Sequence, residues 1–260
     1  EVEQNGFSDR HFGLTFFSPT LNIARDPRWG RTSECFSEDP LLTSDMGVAF
    51  IKGMQGDDPY YLKTVATAKH FVANNEENRR LGGSAEVDEI SLREYYFPAF
   101  QAAVTQGRVT SIMGAYNALN GTPCCANSFL LNDVLRNEWG FDGVVISDGS
   151  AIDKLYTHHK YAPSLEKGAA MALKAGCDMS LRDEYRKGLY LAYQQGMISE
   201  EDLNCAVRRV LNLRARLGLD EGTSRGNPYT AVPYSVVESK AHQALALEAA
   251  QKSMVLLKNE

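Results

Sequence analysis

The chain has 260 residues, of which 43% are hydrophobic and 23% are charged, and its formal net charge is −6. A sequence of this length and composition can bury one large core, as soluble globular domains do. The acidic balance argues against a nucleic-acid or membrane partner, because no excess of Lys and Arg is present to neutralise phosphates. No stretch approaches the ~20 apolar residues that a membrane-spanning helix needs.

Short apolar runs alternate along the chain with longer amphipathic stretches. The runs predict strands at residues 14–17, 65–71, 110–115, 143–147 and 177–181. The stretches predict helices at residues 41–54, 91–106, 128–139, 165–175, 185–195, 204–217 and 235–258. Two residue pairs match the capping box of a helix start, Ser91 with Glu94 and Ser199 with Asp202.

The apolar strands indicate a parallel sheet that is covered on both faces, since the run VVI at residues 144–146 is continuous rather than alternating. Polar residues follow several strands, at residues 22–31, 69–70, 116–117 and 147–148. Active sites of (β/α)8 barrels are built from such strand ends, whereas a doubly wound sheet concentrates its ligand site at one switch point. We therefore predict an α/β fold, a (β/α)8 TIM-like barrel that is incomplete because only about five strands are visible.

The last forty residues differ in composition from the rest. Residues 220–234 are rich in Gly, Pro and polar side chains, which is typical of a linker. Residues 235–260 resemble a helix that leads into an apolar strand. The sequence thus predicts a partial barrel domain at residues 1–219, a linker, and the start of a second α/β domain.

No residue cluster indicates a metal site. The five cysteines are widely spaced, with no C-x-x-C pair, so neither a disulfide framework nor a zinc site is predicted and the compartment stays open. His158 and His159 have no metal-binding context, and we interpret them as loop residues.

Asp148 directly follows the apolar run 144–146. An aspartate at this point of a barrel is partly desolvated yet reachable, which suits a nucleophile, although a helix cap or loop residue fits the position equally well. The surrounding residues decide between them. VLRNE, four further residues and GVVISD (residues 134–148) closely resemble the active-site signature of glycoside hydrolase family 3. The resemblance implies that Asp148 attacks the anomeric carbon and forms a glycosyl-enzyme intermediate.

Three earlier segments resemble the same family in the same order. They are NIARDPRWGR at 22–31 with Glu34 and EDP at 38–40, KHF at 69–71, and MGAYN at 113–117 with NG at 120–121. The resemblance implies that Arg31 bonds two adjacent sugar hydroxyls through its planar guanidinium and that Glu34 orients it.

The strand-end residues of the other two segments are implied to contact the sugar in subsite −1. Lys69 and His70 would hold hydroxyls whose hydrogen bonds tighten as the ring flattens toward the transition state. Tyr116 is implied to donate a hydrogen bond to the nucleophile, and Met113 to line the sugar site. No metal or organic cofactor is expected.

The family resemblance also implies material on both sides of the chain. Members usually have an additional strand and helix before a segment like residues 1–13, and an α/β sandwich domain after the barrel. The general acid/base, typically a glutamate, belongs to that second domain, so its identity is unknown and we place it outside this chain. The chain alone is therefore expected to be weakly active or inactive. The resemblance favours a periplasmic or secreted location, and the oligomeric state is open.

Two departures from the family pattern narrow the range of candidate substrates. The KHF segment continues as VANN rather than P-G-H-G, which argues against the branch acting on N-acetylglucosamine. Gly149 and Ser150 follow the nucleophile where glucosidases often have Trp and xylosidases often have Cys. Residues 22–31 and 122–126 resemble the xylosidase-like members of the family more than the others.

The sequence as a whole predicts a retaining, exo-acting β-glycosidase that removes terminal glucose or xylose from oligosaccharides. Its partners would be a small carbohydrate substrate and the sandwich domain. One alternative is a sugar-binding remnant that lacks the acid. Another is an aldolase-type barrel that uses Lys69 as a Schiff base, an interpretation supported by nothing but a lysine at a strand end.

Overall fold

The computed structural model describes residues 13–220, 222 and 225–260. Four parallel strands form its main sheet in the order β1-β2-β4-β7. They are β1 (Thr15–Phe16), β2 (Val65–Phe71), β4 (Ser111–Gly114) and β7 (Val144–Ser147). All four fall on predicted runs. The fifth predicted run, residues 177–181, is reduced to a single parallel bridge between Met179 and Ile146, so the described residues supply part of a TIM-like barrel.

Helices alternate with these strands, as the amphipathic stretches predict. They are α1 (Pro40–Gln55), α2 (Glu89–Ser91), α3 (Pro98–Thr105), α4 (Ala151–Thr157), α5 (Leu165–Ala175), α6 (Glu184–Gln194), α7 (Glu200–Arg216) and α8 (Lys240–Ser253). A π-helical segment, Leu92–Tyr96, joins α2 to α3, and the predicted helix 128–139 is a π-helix at Phe129–Glu138. The sequence missed α4, which follows a left-handed Ser150 and has no side-chain cap to announce it.

The two predicted capping boxes have different outcomes. Ser199 and Asp202 exchange both hydrogen bonds, so α7 begins at Glu200, four residues before its predicted start. The Ser91 prediction is wrong. Asp88 caps that helix instead, since its Oδ1 accepts from the backbone N–H of Ser91 at 2.9 Å, and Ser91 lies inside the helix.

The core lies between the sheet and the helices. Phe71, at the end of β2, is fully buried, with its ring centroid 5.1 Å from that of Phe100 and 5.8 Å from that of Trp139. Val144 and Val145 of β7 are buried as well. This burial on both faces explains why these strands are apolar without alternation.

A buried ion group fixes the start of β7. The Asp178 carboxylate, whose side chain is 1% exposed, accepts from Arg136 Nη2 at 2.7 Å and from Arg209 Nη1 at 2.8 Å. It also accepts from the backbone N–H of Val145 at 2.8 Å. Arg136 donates to three backbone carbonyls around the strand, those of Phe141, Gly143 and Gly176. The arginine of the VLRNE motif therefore supports the strand that ends at Asp148.

A second, smaller sheet flanks the ends of the main strands. It consists of β3 (Ser84–Ala85), β5 (Ala118–Leu119) and β6 (Thr122–Pro123). None of these three strands falls on a run that the sequence predicted as a strand. Through β5 this sheet supports the loop that holds Tyr116.

The C-terminal part departs from its prediction in detail. Tyr229, in the predicted linker, accepts hydrogen bonds at its hydroxyl from the backbone N–H groups of Asp57 and Asp58, at 2.9 and 3.1 Å. α8 is shorter than the predicted helix 235–258 and buries no residue. The expected strand around residues 255–257 is not formed. The division into a barrel, a linker and a second domain stays a prediction.

In the part that the structure describes, no helix has the length and apolarity to cross a bilayer.

Candidate active site

A cavity of about 410 Å³ opens where β1, β2, β4 and β7 end. All seven site residues predicted from the sequence line it, namely Arg31, Glu34, Lys69, His70, Met113, Tyr116 and Asp148. Four lining residues were not predicted, namely Phe17, Glu77, Arg80 and Leu181. A larger cavity of about 630 Å³ lies beside Arg25 and Tyr95, but the chemically versatile strand ends converge on the smaller one, which we take as the site.

Arg31 and Glu34 form a two-pronged ion pair at the edge of the cavity. Nε and Nη2 of Arg31 donate to the two carboxylate oxygens of Glu34 at 2.7 and 2.9 Å. These bonds lower the pKa of Glu34, and they raise the pKa of Arg31. The pairing matches the orienting contact that the sequence predicted, and it leaves Glu34 ionised and committed to the guanidinium.

His70 is buried and held in one tautomer. Its backbone N–H donates to Asn22 Oδ1 at 2.8 Å, and its ring Nδ1 lies 3.1 Å from the same oxygen. An amide oxygen accepts only, so Nδ1 carries the proton. Nε2 then accepts from Arg31 Nη2 at 3.1 Å. In this arrangement the lone pair of Nε2 is occupied by the Arg31 donor.

The electrostatics of the cavity keep this imidazole neutral. Burial lowers the pKa of His70 to about 3, and the charges of Arg31 and Lys69 act in the same direction. The 3.6 Å contact between His70 Nε2 and Asp148 Oδ2 is therefore not an ion pair at neutral pH. Asn22, the first residue of the NIARDPRWGR motif, fixes this state, and the motif was the only signal in the sequence that marked it.

Asp148 follows β7, and its side chain is 15% exposed. Its Oδ1 accepts from the backbone N–H of Gly149 at 2.7 Å. Burial raises the pKa of Asp148, while this bond and the charges of Arg31, Lys69 and Arg80 oppose the rise. The carboxylate is thus poorly hydrated and faced by cations, which suits a nucleophile.

Tyr116 lies next to Asp148 but bonds to a different atom than predicted. Its hydroxyl donates to the backbone carbonyl of Gly149, and not to the Asp148 carboxylate. The two groups still interact, because burial and the Asp148 charge both raise the pKa of Tyr116. A Cβ atom on Gly149 would lie 3.2 Å from the Tyr116 hydroxyl, so the glycine after Asp148 leaves room for this contact.

Two of the unpredicted residues, Glu77 and Arg80, form an ion pair with Arg80 Nη1 2.5 Å from Glu77 Oε1. Both residues follow the KHF segment, and no sequence motif marked them as site residues. Their position in the cavity lining identifies them. Lys69 is half-buried, and burial lowers its pKa. Among the described residues, no three His, Cys, Asp or Glu side chains gather as a metal site.

Comparison with known proteins is consistent with this geometry. Residues 10–213 match the model of the glycosyl hydrolase family 3 N terminal domain. The chain belongs to glycoside hydrolase family 3. The resemblance inferred from its motifs is thereby confirmed, and so is the TIM-barrel-like α/β fold.

Curated family 3 relatives align over almost the whole chain. Probable beta-D-xylosidase 7 of Arabidopsis thaliana is 40% identical over 258 residues, which cover 95% of this chain and 34% of that protein. The xylan 1,4-beta-xylosidase of Xylanibacter ruminicola is 37% identical, with 98% and 30% covered. The chain thus spans about a third of the length of the curated relatives it matches.

Solved family 3 structures share the fold. An exo-beta-xylosidase in complex with a xylobiose aziridine activity-based probe superposes with a TM-score of 0.90 at 35% identity, covering 95% of this chain and 33% of that one. A beta-glucosidase from Listeria innocua gives a TM-score of 0.83 at 34% identity, with 95% and 34% covered. Both superpositions span the strands that carry the cavity.

Proposed function

We propose that this chain is the barrel part of a retaining, exo-acting β-glycosidase that removes terminal β-linked xylose or glucose from oligosaccharides. The observation that carries the proposal is the position of Asp148, a desolvated carboxylate at a strand end, in one cavity with Arg31, Lys69 and His70. The names of the family relatives, which are β-xylosidases and β-glucosidases, support the same reaction class.

In the proposed first step, an Asp148 carboxylate oxygen attacks the anomeric carbon, and the bond from that carbon to the leaving oxygen breaks. Asp148 suits this role because it is poorly hydrated, so little solvent has to be removed before the attack. Water then cleaves the resulting ester, which releases the sugar and regenerates the carboxylate. Two displacements at one carbon return the original configuration.

The residues around Asp148 are proposed to hold the sugar. Arg31 is kept rigid by Glu34, so it loses little freedom when it binds neighbouring hydroxyls. Lys69 adds a donor beside it, and His70 supports Arg31 by accepting from its Nη2 at Nε2. Contacts of this kind accelerate the reaction where they strengthen as the ring flattens.

The proposed mechanism needs a second carboxyl group about 5–5.5 Å from the first, which gives its proton to the leaving oxygen. Glu34 does not suit this task, because its bonds to Arg31 lower its pKa. Glu77 is paired with Arg80. We therefore assign the general acid/base to a further domain of the parent protein, which is consistent with the chain spanning a third of its relatives.

Covalent labelling tests the proposal without the missing acid. A 2,4-dinitrophenyl 2-deoxy-2-fluoro-β-xyloside has a leaving group that needs no proton, and its fluorine slows the second step, so the glycosyl ester accumulates. We expect peptide mass spectrometry to find the added sugar on Asp148. Asp148→Asn should abolish labelling. Asp153→Asn, which changes an aspartate outside the cavity lining, should retain it.

The alternatives give different outcomes in the same assay. Sugar binding without labelling of Asp148 would support a sugar-binding remnant and would refute the nucleophile. Borohydride trapping of Lys69 with a carbonyl compound would support an aldolase. Comparing labelling by the xyloside with labelling by the matching glucoside tests the sugar specificity. We expect the xyloside to react faster, because residues 22–31 and 122–126 resemble xylosidases.

A further inference from the structure

Glu77 and Arg80 line the candidate active site although no motif singled them out. Both lie in the loop after β2, and their side chains are 34% and 35% exposed. Arg80 Nη1 lies 2.5 Å from Glu77 Oε1. The other carboxylate oxygen, Oε2, is buried and has no hydrogen-bond partner. Since Oε2 has lost its contact with water, the contact of Oε1 with Arg80 is the interaction that compensates this carboxylate.

From Arg80 a chain of contacts leads to Asp148. The guanidinium carbon lies 5.1 Å from the centroid of the Tyr116 ring, within the range of a cation–π interaction. The Tyr116 hydroxyl donates to the carbonyl of Gly149. The N–H of Gly149 donates to Asp148 Oδ1 at 2.7 Å. Glu77 and Arg80 thus lie at the outer end of a continuous path that ends on the carboxylate.

Four segments bring charged or titratable groups to the cavity around Asp148. They are Arg31 and Glu34 after β1, Lys69 and the neutral His70 at the end of β2, and Glu77 and Arg80 in the loop after it, with Tyr116 after β4. Arg31 has both of its inner donors committed to Glu34. Arg80 Nη1 pairs with one carboxylate oxygen of Glu77, and its guanidinium stacks on Tyr116. Arg80 therefore adds a third cationic group to the cavity, beside Arg31 and Lys69.

We propose that Arg80, held in place by Glu77, is a positioning residue whose charge keeps Asp148 ionised and whose stacking keeps the Tyr116 ring against Gly149. The proposal rests on the proposed function for its catalytic meaning, but the ionisation of Asp148 is measurable without catalysis. The physical need is clear, since burial disfavours the charged form of Asp148 and nearby cations oppose that effect.

The test compares Arg80→Met, which removes the charge, with Arg80→Lys, which keeps it. The ionisation midpoint of Asp148 is read by ¹³C NMR of labelled aspartate carboxyls, with the signal assigned through Asp148→Asn. We expect Arg80→Met to raise the midpoint by at most about one unit, the lower limit of the effect of a close opposite charge, because Arg80 is partly exposed. Arg80→Lys should restore most of the midpoint.

Arg79→Met is the matched control. Arg79 is the neighbouring residue and pairs with Glu76 in the same spacing, but its side chain is 81% exposed and does not line the cavity. Its loss should leave the midpoint unchanged. Glu77→Gln tests the direction in which the ionisation midpoint of Asp148 moves. Removing a negative charge alone would lower the midpoint, whereas releasing Arg80 raises it, and we expect the rise.

Several outcomes would overturn the proposal. An unchanged midpoint in Arg80→Met would do so, as would equal shifts in Arg80→Met and Arg79→Met. A downward shift in Glu77→Gln would refute the holding role of Glu77. The pH dependence of Asp148 labelling by the fluoro-xyloside gives the catalytic readout. If labelling fails in the unaltered protein while the NMR midpoint moves as expected, the proposed function is wrong and the electrostatic role of Arg80 stands.

Discussion

Replacement of Arg136 by Met is expected to destabilise the protein strongly, although Arg136 lies outside the cavity. Its side chain is 9% exposed and donates to the Asp178 carboxylate at 2.7 Å. Met fills a similar volume without the charge, and it leaves three backbone carbonyls without their donor. The perturbation therefore removes one link between the start of β7 and the segment around Asp178, the Arg136 bridge, while changing the packing little.

The size of the effect follows from what Asp178 retains. Removing one partner of a buried ion pair costs about 3–5 kcal/mol, because a charge is left desolvated. Asp178 keeps Arg209 at 2.8 Å and the Val145 N–H at 2.8 Å. The lower end of the range then applies, and we expect a loss of about 3 kcal/mol. Arg209→Met should cost about 1 kcal/mol, since Arg209 is 30% exposed.

The assay is equilibrium unfolding in urea at neutral pH, followed by far-ultraviolet circular dichroism. The free energy of unfolding is extrapolated linearly to water for the unaltered protein and both variants. Near-equal losses in Arg136→Met and Arg209→Met would refute the reasoning, as would a loss below about 1 kcal/mol in Arg136→Met. Either result would mean that the ion group does not fix β7.

Three further outcomes are expected. Asp148→Asn should raise the free energy of unfolding at neutral pH, on the order of 1 kcal/mol, because burial raises the pKa of Asp148 and makes its ionised form unfavourable in the folded state; in urea titrations over pH the gain should vanish below the unfolded-state pKa. Phe71→Ala should cost about 3–5 kcal/mol by the same unfolding assay, against a small loss for Phe129→Ala, a ring that is 38% exposed. Asn22→Ala should lower the rate of Asp148 labelling, because His70 loses the acceptor that fixes its tautomer.

Each of these outcomes has a clear contradiction. A stability gain of Asp148→Asn that persists at acid pH would show that charge is not its cause. Equal losses of unfolding free energy in Phe71→Ala and Phe129→Ala would mean that the buried aromatic cluster stabilises the fold no more than an exposed ring does. An unchanged labelling rate in Asn22→Ala would show that the tautomer of His70 does not affect the reactivity of Asp148.

The predictions that succeeded depended on local patterns. β2, β4 and β7 were found because burial on both faces requires continuous apolar runs, whereas both residues of β1 are exposed. The run 177–181 pairs with β7 around Met179 through a single bridge to Ile146, and therefore forms no extended strand. α4 was missed because it begins at a left-handed Ser150 without a capping side chain.

The sequence by itself determined seven of the side chains that reach the cavity. Lys69 lies near the end of β2, and Tyr116 and Asp148 follow β4 and β7; because parallel strands bring their ends to one edge, motif positions were sufficient to predict that these residues converge. Family membership followed from the same motifs.

Only the tertiary structure decided how those side chains are paired and charged. The tautomer of His70 depends on Asn22, 48 residues away, and the Tyr116 hydroxyl bonds to Gly149, 33 residues away. The proposed influence of Arg80 on the ionisation of Asp148 depends in the same way on the folded loop after β2. Hydrogen-bond partners and desolvation are properties of a folded environment, since electrostatic interactions depend on distance and burial and no local sequence pattern specifies either. The sequence identified Asp148 as a nucleophile candidate, and the fold set the conditions under which it is ionised.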